Sequence, residues 1–229
     1  MILTKSSYFF IILLFLAFLG FWESYFSKIL NEINIYTHFH AATMLLWLSV
    51  LIAQPFLIKY KKISLHKFIG RTSYALVPLL IISVILLAHS QITIHEYGVS
   101  YSRLYILFLQ LSLLAIFIIA YGLAIIYRKS PNHHARYMIC TSLTLIDPAV
   151  ARIPLNLPPL PFSYQVLTFS LIDIILLALI IIERNQKYAR EVFPVMLVIF
   201  IVFQTFNLNW TDTTAWDSFS LWFAKLPLT

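Results

Sequence analysis

The chain has 229 residues, of which 61% are hydrophobic and only 11% are charged. A water-soluble domain of this length carries about a quarter charged residues, so the composition excludes a soluble globular protein and indicates that lipid is the solvent. The net charge of +7 does not indicate nucleic-acid binding, because the cations lie in short connections between apolar runs. A lone cysteine, Cys140, excludes an internal disulfide framework and a cysteine-based metal site.

Seven apolar runs approach the length of about 20 residues that a membrane-spanning helix needs. They cover residues 7–23, 40–58, 72–90, 103–127, 137–153, 164–183 and 192–208. The first run is expected to stay as a helix, because its flank lacks the small-residue pattern of a signal-peptide cleavage site. We therefore predict an all-α, polytopic membrane helix bundle of about seven transmembrane helices, with residues 1–229 forming a single integral membrane domain in the lipid bilayer.

The cations predict the orientation of the bundle. Twelve of the sixteen Lys and Arg residues fall on one side of the predicted spans: Lys5, Lys59, Lys61, Lys62, Lys67, Arg71, Arg128, Lys129, Arg136, Arg184, Lys187 and Arg190. By the positive-inside rule this side is cytoplasmic, which places the N-terminus inside and the C-terminus outside. On the outer side, residues 24–37 and 210–225 are expected to form short amphipathic helices at the membrane surface, and the proline-rich residues 153–163 an extended loop.

The seven histidines lie near the ends of the predicted helices. His66 and His89 are 23 residues apart, or about 35 Å at the helical rise, so the third helix is expected to carry a histidine at each membrane surface. His95 is predicted to be an ordinary loop residue. The two layers are His38, His40 and His89 outside, and His66 with His133 or His134 inside.

Imidazole is the commonest protein ligand of metals and an axial ligand of haem iron. Two imidazoles at each layer would hold one b-type haem or one metal ion, whereas the alternative is that they are ordinary headgroup-facing side chains. Of the outer pair, His40 is preferred over His38, because Trp47 and Gln54 follow His40 at intervals of seven and share its helix face.

Polar side chains inside the membrane are costly and are functional candidates by default. Gln54, Asp147 and Asp173 fall within the predicted spans, and Arg152 lies near the outer end of the fifth. A structural ion pair between Arg152 and Asp173 is one interpretation. The others are a proton relay, or an arginine that holds an anionic group such as a haem propionate or an acidic headgroup.

Two spaced motifs resemble those of an uncharacterised family of bacterial multi-pass membrane proteins, a domain of unknown function. His66-Lys67-Phe68-Ile69-Gly70-Arg71 matches H-x3-G-R, His134-Ala135-Arg136-Tyr137-Met138 matches H-x-R-[WY]-M, and Arg152 follows His134 by eighteen residues. His40 and Gln54 are similar to the His and Gln of the family's preceding helix. The resemblance covers about residues 38–152, selects His134 over His133, and implies a location in the bacterial inner membrane.

The layout is also similar to that of ascorbate-type transmembrane b cytochromes, whose ligand histidines pair the second helix with the fourth and the third with the fifth. His66 and His134 reproduce the second of these pairs. The predicted fourth helix has no histidine, so the outer pair would be His40 with His89. Gly70 would allow a flat macrocycle to approach the third helix closely.

The leading hypothesis is an inner-membrane redox protein that binds haem b or another metal through His66, His134, His40 and His89, with electron-transfer or membrane subunits as partners. A zinc-dependent membrane hydrolase with His38, His40 and His89 as ligands is a second hypothesis, because three histidines and an open position form a catalytic zinc site. The third is a non-catalytic assembly factor or small-solute carrier without a cofactor.

Overall fold

The computed structural model describes residues 2–30, 34–92, 94–95, 98–153 and 164–229. Within these residues the chain is almost entirely helical. The helices are α1 (Ile2–Gly20), α2 (Ile35–Lys59), α3 (Ile63–Gln91), α4 (Tyr101–Ile126), α5 (Pro131–Leu143), α6 (Ile146–Val150), α7 (Tyr164–Glu183), α8 (Val192–Asn209) and α9 (Thr214–Ala224). A 3-10 turn covers Phe26–Lys28, and β1 (Ile94–His95) pairs with β2 (Gly98–Val99) in a short antiparallel hairpin.

Five of the described helices are long and apolar enough to cross a membrane, namely α2, α3, α4, α7 and α8. Residues Ser6–Gly20 of α1 form a shorter apolar helix. Large apolar side chains such as Leu46, Ile82 and Val198 are exposed on the outer faces of these helices. Surfaces of this kind are compatible with lipid, and in this respect the prediction of an all-helical membrane protein is confirmed.

The predicted fifth span, residues 137–153, is not one continuous helix. The chain forms α5 up to Leu143 and resumes as the short helix α6 at Ile146. Pro148 explains the interruption, because proline has no N–H to donate and its ring clashes with the carbonyl four residues earlier, at Thr144. Thr144 is the C-cap of α5.

The segments outside the long helices contradict the prediction at one place. The described part of residues 24–37 contains only the 3-10 turn and the start of α2, so the amphipathic helix predicted there is wrong. Helix α3 begins at Ile63, ahead of the apolar run 72–90, so His66 lies in its first turn and the prediction that the third helix carries both His66 and His89 is confirmed. The predicted surface helix over 210–225 contains α9, and the loop predicted for 153–163 falls almost wholly on 154–163, outside the described residues.

Helices α2, α3 and α4 meet around Trp47. The indole is fully buried, and the rings of Phe117 and Tyr121 lie edge-on to it, with centroids 5.4 and 5.7 Å away. The Tyr121 hydroxyl is 2.8 Å from the Ser73 hydroxyl and links α4 to α3. Edge-to-face aromatic packing of this kind stabilises a core beyond the area that it buries.

Side-chain contacts bring the helix ends together at two levels. One level, which we call the cationic end, contains the cation-rich connections 60–62, 127–130 and 184–191. Two observations put these connections at the same level: His66 is within electrostatic range of His134, and Arg136 binds Glu183. At the other level, the opposite end, Gly20 of α1 lies against α6.

Gly20 is required by the close approach of α1 to α6. A Cβ atom at residue 20 would lie 2.1 Å from the carbonyl oxygen of Ala149, and backbone atoms cannot retreat as the end of a flexible side chain can. The close contact therefore depends on the absence of a side chain.

We expect Gly20→Ala to destabilise the protein by about 2 kcal/mol or more, since overpacking of a filled interface costs roughly 1–3 kcal/mol. Gly122→Ala is the matched control, because a Cβ at residue 122 would meet nothing within 4 Å and alanine is the better helix former. Thermal unfolding of both variants in the same detergent measures the difference. Equal melting temperatures for the two would contradict the close contact of α1 with α6.

Candidate functional site at the cationic end of the bundle

His134 occupies the first turn of α5, and its ring is oriented by the preceding helix. The Nδ1 atom lies 2.8 Å from the carbonyl oxygen of Ala124 at the end of α4. A carbonyl oxygen only accepts hydrogen bonds, so the proton of the neutral ring is on Nδ1 and the lone pair is on Nε2. Histidine ligands of metals are held in this way by a backbone carbonyl, which fixes both the tautomer and the ring orientation.

His66 of α3 lies within electrostatic range of His134. Its Nδ1 atom is buried and has no hydrogen-bond partner among the described residues. Gln54 of α2 joins the pair by donating its side-chain Nε2–H to the backbone carbonyl of His66, at 3.3 Å. His66, His134 and Gln54 therefore form one polar group, the cationic-end histidine group.

Gly70 lies one helical turn after His66. A Cβ atom at this position would meet only the Gln54 side-chain nitrogen, at 3.9 Å. A side chain at residue 70 would lean back over the preceding turn, because Cα–Cβ bonds tilt toward the helix N-terminus. The space that a side chain at residue 70 would occupy is therefore open apart from the Gln54 side chain.

His38, His40 and His89 bind three different partners. Nδ1 of His40 is 3.2 Å from the hydroxyl of Ser83, which in turn lies 2.9 Å from that of Thr43. Nδ1 of His38 is 3.0 Å from the Tyr25 hydroxyl. His40 therefore faces α3, whereas His38 faces the segment after α1.

His89 is covered by the C-terminal segment. Its Nδ1 atom is 2.6 Å from the Thr229 hydroxyl, and its ring packs edge-on against Phe223 of α9. No group of three or more His, Cys, Asp or Glu side chains is placed to hold a metal ion within the part of the chain that the structure describes. The three-histidine zinc site expected from the sequence is therefore not assembled.

The intramembrane charges have separate surroundings. Asp147 is fully buried and accepts a hydrogen bond from Gln165 of α7. Asp173 accepts one from Gln204 of α8, at 3.1 Å. Arg152 donates to the Pro148 carbonyl at 2.7 Å, and its guanidinium lies 4.7 Å from the centre of the Phe21 ring. The hypothetical Arg152–Asp173 pair is therefore wrong, and Arg152 instead lies within electrostatic range of His40 and Asp147.

Sequence reasoning missed a buried ion pair next to His134. Arg136 of α5 binds both carboxylate oxygens of Glu183 at the end of α7, and it also donates to the Asn132 carbonyl at 2.8 Å. Both side chains are almost fully buried. The available signal was that Glu183 is an acid at the end of an apolar span, next to connections in which Lys and Arg predominate.

A second, exposed pair lies nearby. His133 is 2.7 Å from Glu191, and its ring stacks on Tyr127. The pKa of Glu191 is lowered, first by a hydrogen bond from its own backbone N–H and then by the bond to His133. His133 thus points to the α7–α8 connection, whereas His134 points to α4 and His66.

Comparison of the chain with protein-family models, with curated proteins and with solved structures found no match. The resemblance carried by the two histidine motifs therefore stays a prediction. Function is inferred below from the side-chain geometry alone.

We expect Arg136→Met to destabilise the protein by about 3–5 kcal/mol, because it leaves the Glu183 carboxylate buried without a cation. The double variant Arg136→Met/Glu183→Leu should recover most of that loss, since both charges are removed together. Unfolding free energies of the single and double variants measure the coupling. Additive losses in the double variant would contradict a buried pair.

Glu191→Gln tests the exposed pair and should cost less than about 1 kcal/mol near neutral pH. A carboxyl whose folded pKa is lowered stabilises the fold above its unfolded pKa, and this contribution disappears as the pH falls through the folded value. The difference between Glu191→Gln and the parent chain should therefore begin to shrink near the ordinary glutamate value of 4.5 and vanish only below the lowered pKa of Glu191 in the folded protein. A difference that persists in acid would contradict this origin.

Proposed function

We propose that this chain is a bacterial inner-membrane redox protein that holds a metal-centred cofactor, with haem b as the first candidate, between His66 and His134. The observation that carries the proposal is the orientation of His134, whose Nδ1–H is bound to the Ala124 carbonyl, together with the unpaired and buried Nδ1 of His66 within electrostatic range of it.

The side chains of this group suit such a cofactor. His134 has its Nε2 lone pair free for a metal, and either nitrogen of His66 could serve as the second ligand. The space beside Gly70 is open to a flat group apart from the Gln54 side chain. Bound there, haem would supply one-electron transfer, while the chain would set its depth and orientation in the membrane.

We further propose seven membrane crossings, with the N-terminus inside and the C-terminus outside. Support for the fifth crossing comes from the contacts of α5 and α6, since Arg136 meets one end of α7 and Asp147 meets the other. Residues 131–150 span about 30 Å at the helical rise, which is the thickness of the hydrocarbon core. The contact of Gly20 with Ala149 supports α1 as the first crossing.

With this orientation, His66 and His134 would lie at the cytoplasmic surface. An acceptor or donor of electrons at this level would be a cytoplasmic molecule or a partner subunit. The outer residues His40 and His89 lie apart in the fold, each with its own hydroxyl partner. The proposal is therefore for one cofactor, at the cationic end.

A visible absorption spectrum tests the proposal. The full chain, expressed with an ample haem supply and purified in mild detergent, should show a Soret band and a reduced α-band of b type. We expect His66→Ala and His134→Ala each to abolish or shift these bands, and added imidazole to restore them in part. Elemental analysis of the same sample detects a metal other than haem iron.

His133→Ala is the matched control, because His133 is the neighbour of His134 but binds Glu191. It should keep the parent spectrum. A well-folded parent protein without visible absorption and without bound metal would overturn the proposal and favour a non-catalytic membrane role.

A further inference from the structure

A basic cluster covers the end of α2, the connection to α3 and the first turns of α3. The sequence has no Asp or Glu between Glu32 and Glu96, so these two helices supply no acid to balance it. Its side chains are all exposed, and none of them forms an ion pair with a residue that the structure describes. The basic cluster consists of Lys59, Lys61, Lys62, Lys67 and Arg71.

The other connections at the cationic end have a smaller excess of positive charge. The connection from α4 to α5 has only Arg128 and Lys129, and Arg136 is paired with Glu183. The connection from α7 to α8 contains the acid Glu191 among its cations, which are Arg184, Lys187 and Arg190. The unbalanced positive charge is therefore greatest where α2 meets α3.

The basic cluster is expected at the depth of the lipid headgroups. Both α2 and α3 are long and apolar enough to cross a membrane. Helix α3 has 29 residues, or about 43 Å at the helical rise, whereas the hydrocarbon core is about 30 Å thick. Because Lys67 and Arg71 would be costly in hydrocarbon, the surplus length of α3 is expected at this end, among the phosphates.

Lys67 and Arg71 begin an exposed stripe that continues along α3. Residues 67, 71, 74, 78 and 82 recur at intervals of three and four and therefore share one face of the helix. After the two cations the stripe consists of Tyr74, Pro78 and Ile82, which are also exposed. A phospholipid has the same order along its length, with a charged phosphate first and an acyl chain below it. This order favours a lipid over a soluble acidic protein, which would match only the cations.

We propose that this face of α3, together with the lysines of the α2–α3 connection, binds an anionic phospholipid. Its phosphate would lie on Lys67 and Arg71, which donate charge-assisted hydrogen bonds to phosphate oxygens, and an acyl chain would follow the rest of the stripe. Clusters of about four to eight Lys and Arg beside a membrane-spanning helix are typical of anionic-lipid binding. The inference rests on α2 and α3 as membrane helices and not on a cofactor at His66 and His134.

Native mass spectrometry of the full chain tests the proposal. The chain, purified in mild detergent, is mixed with equal amounts of phosphatidylglycerol and phosphatidylcholine that have the same acyl chains. We expect bound phosphatidylglycerol to exceed bound phosphatidylcholine by about tenfold, and this excess to shrink as the salt concentration rises. Glycerol phosphate, which has the charged group without acyl chains, should not displace the lipid at equal concentration.

Lys67→Gln/Arg71→Gln should lower the affinity for phosphatidylglycerol by about tenfold or more, because each cation near an anionic headgroup contributes roughly a fivefold factor. Its affinity for phosphatidylcholine and its melting temperature should stay those of the parent chain, since both side chains are exposed. Arg184→Gln/Lys187→Gln is the matched control, because it removes two exposed cations from the same end but outside the stripe. It should bind phosphatidylglycerol like the parent.

Equal binding of the two lipids by the parent chain would overturn the proposal and favour an acidic protein as the partner of the basic cluster. An equal loss of phosphatidylglycerol in both double variants would also overturn it, because the lipid would then respond to the net charge of this end and not to one face of α3. Displacement by glycerol phosphate would contradict the contact between the acyl chain and the stripe.

Discussion

Helices α5 and α6 form an interrupted helix that is held in place by polar contacts at its two ends. At the cationic end Arg136 binds both oxygens of Glu183, and near the opposite end Asp147 accepts a hydrogen bond from Gln165. Hydrocarbon offers no replacement for such contacts, since it cannot hydrogen-bond a displaced group. They fasten an interrupted helix to the continuous helix α7, and they set the position of His134.

A buried ion pair is not by itself a device for stability, because the cost of removing two charges from water can equal their attraction. Arg136 and Glu183 join the start of α5 to the end of α7, and the adjacent His134 is in turn bonded to the end of α4. Three helix ends are thus held in one relative position around the histidine. The main effect of the Arg136–Glu183 pair is therefore to position His134.

The sequence predicted those features that depend on composition and periodicity. Long apolar runs predicted α2, α3, α4, α7 and α8 to within a few residues at most ends, because membrane thickness sets the length of an apolar helix. The prediction was wrong at residues 24–37. Apolar side chains at helical spacing predicted a helix there, but the described part contains one 3-10 turn before the start of α2. Periodicity indicates which side chains would share one face of a helix. A short segment becomes helical only if packing against the rest of the protein offsets the unfavourable free energy of helix nucleation.

At the cationic end, the sequence predicted the positions of single histidines but not the pairing of side chains from different helices. Spacing placed His66 and His134 at helix ends, but pairing between distant residues, such as Arg136 with Glu183, depends on which helices are neighbours. The buried amide of Asn207 was missed because an asparagine near a helix end is unremarkable in a sequence. Only the packing of α8 against α4 and α7 shows that its amide is buried without a partner.

Several buried polar atoms of the described residues have no hydrogen-bond partner, among them atoms of Gln54, His66, His89 and Asn207. Each such atom costs roughly 1–3 kcal/mol, which is a large fraction of the stability of a typical domain. Trp47 also has an unpaired indole nitrogen, but its ring lies edge-on to two aromatic rings, which offer weak compensation. His66 and Asn207 have no comparable compensation among the described contacts. A fold that retains such atoms loses stability at those positions unless a buried water or a ligand supplies the missing hydrogen bond.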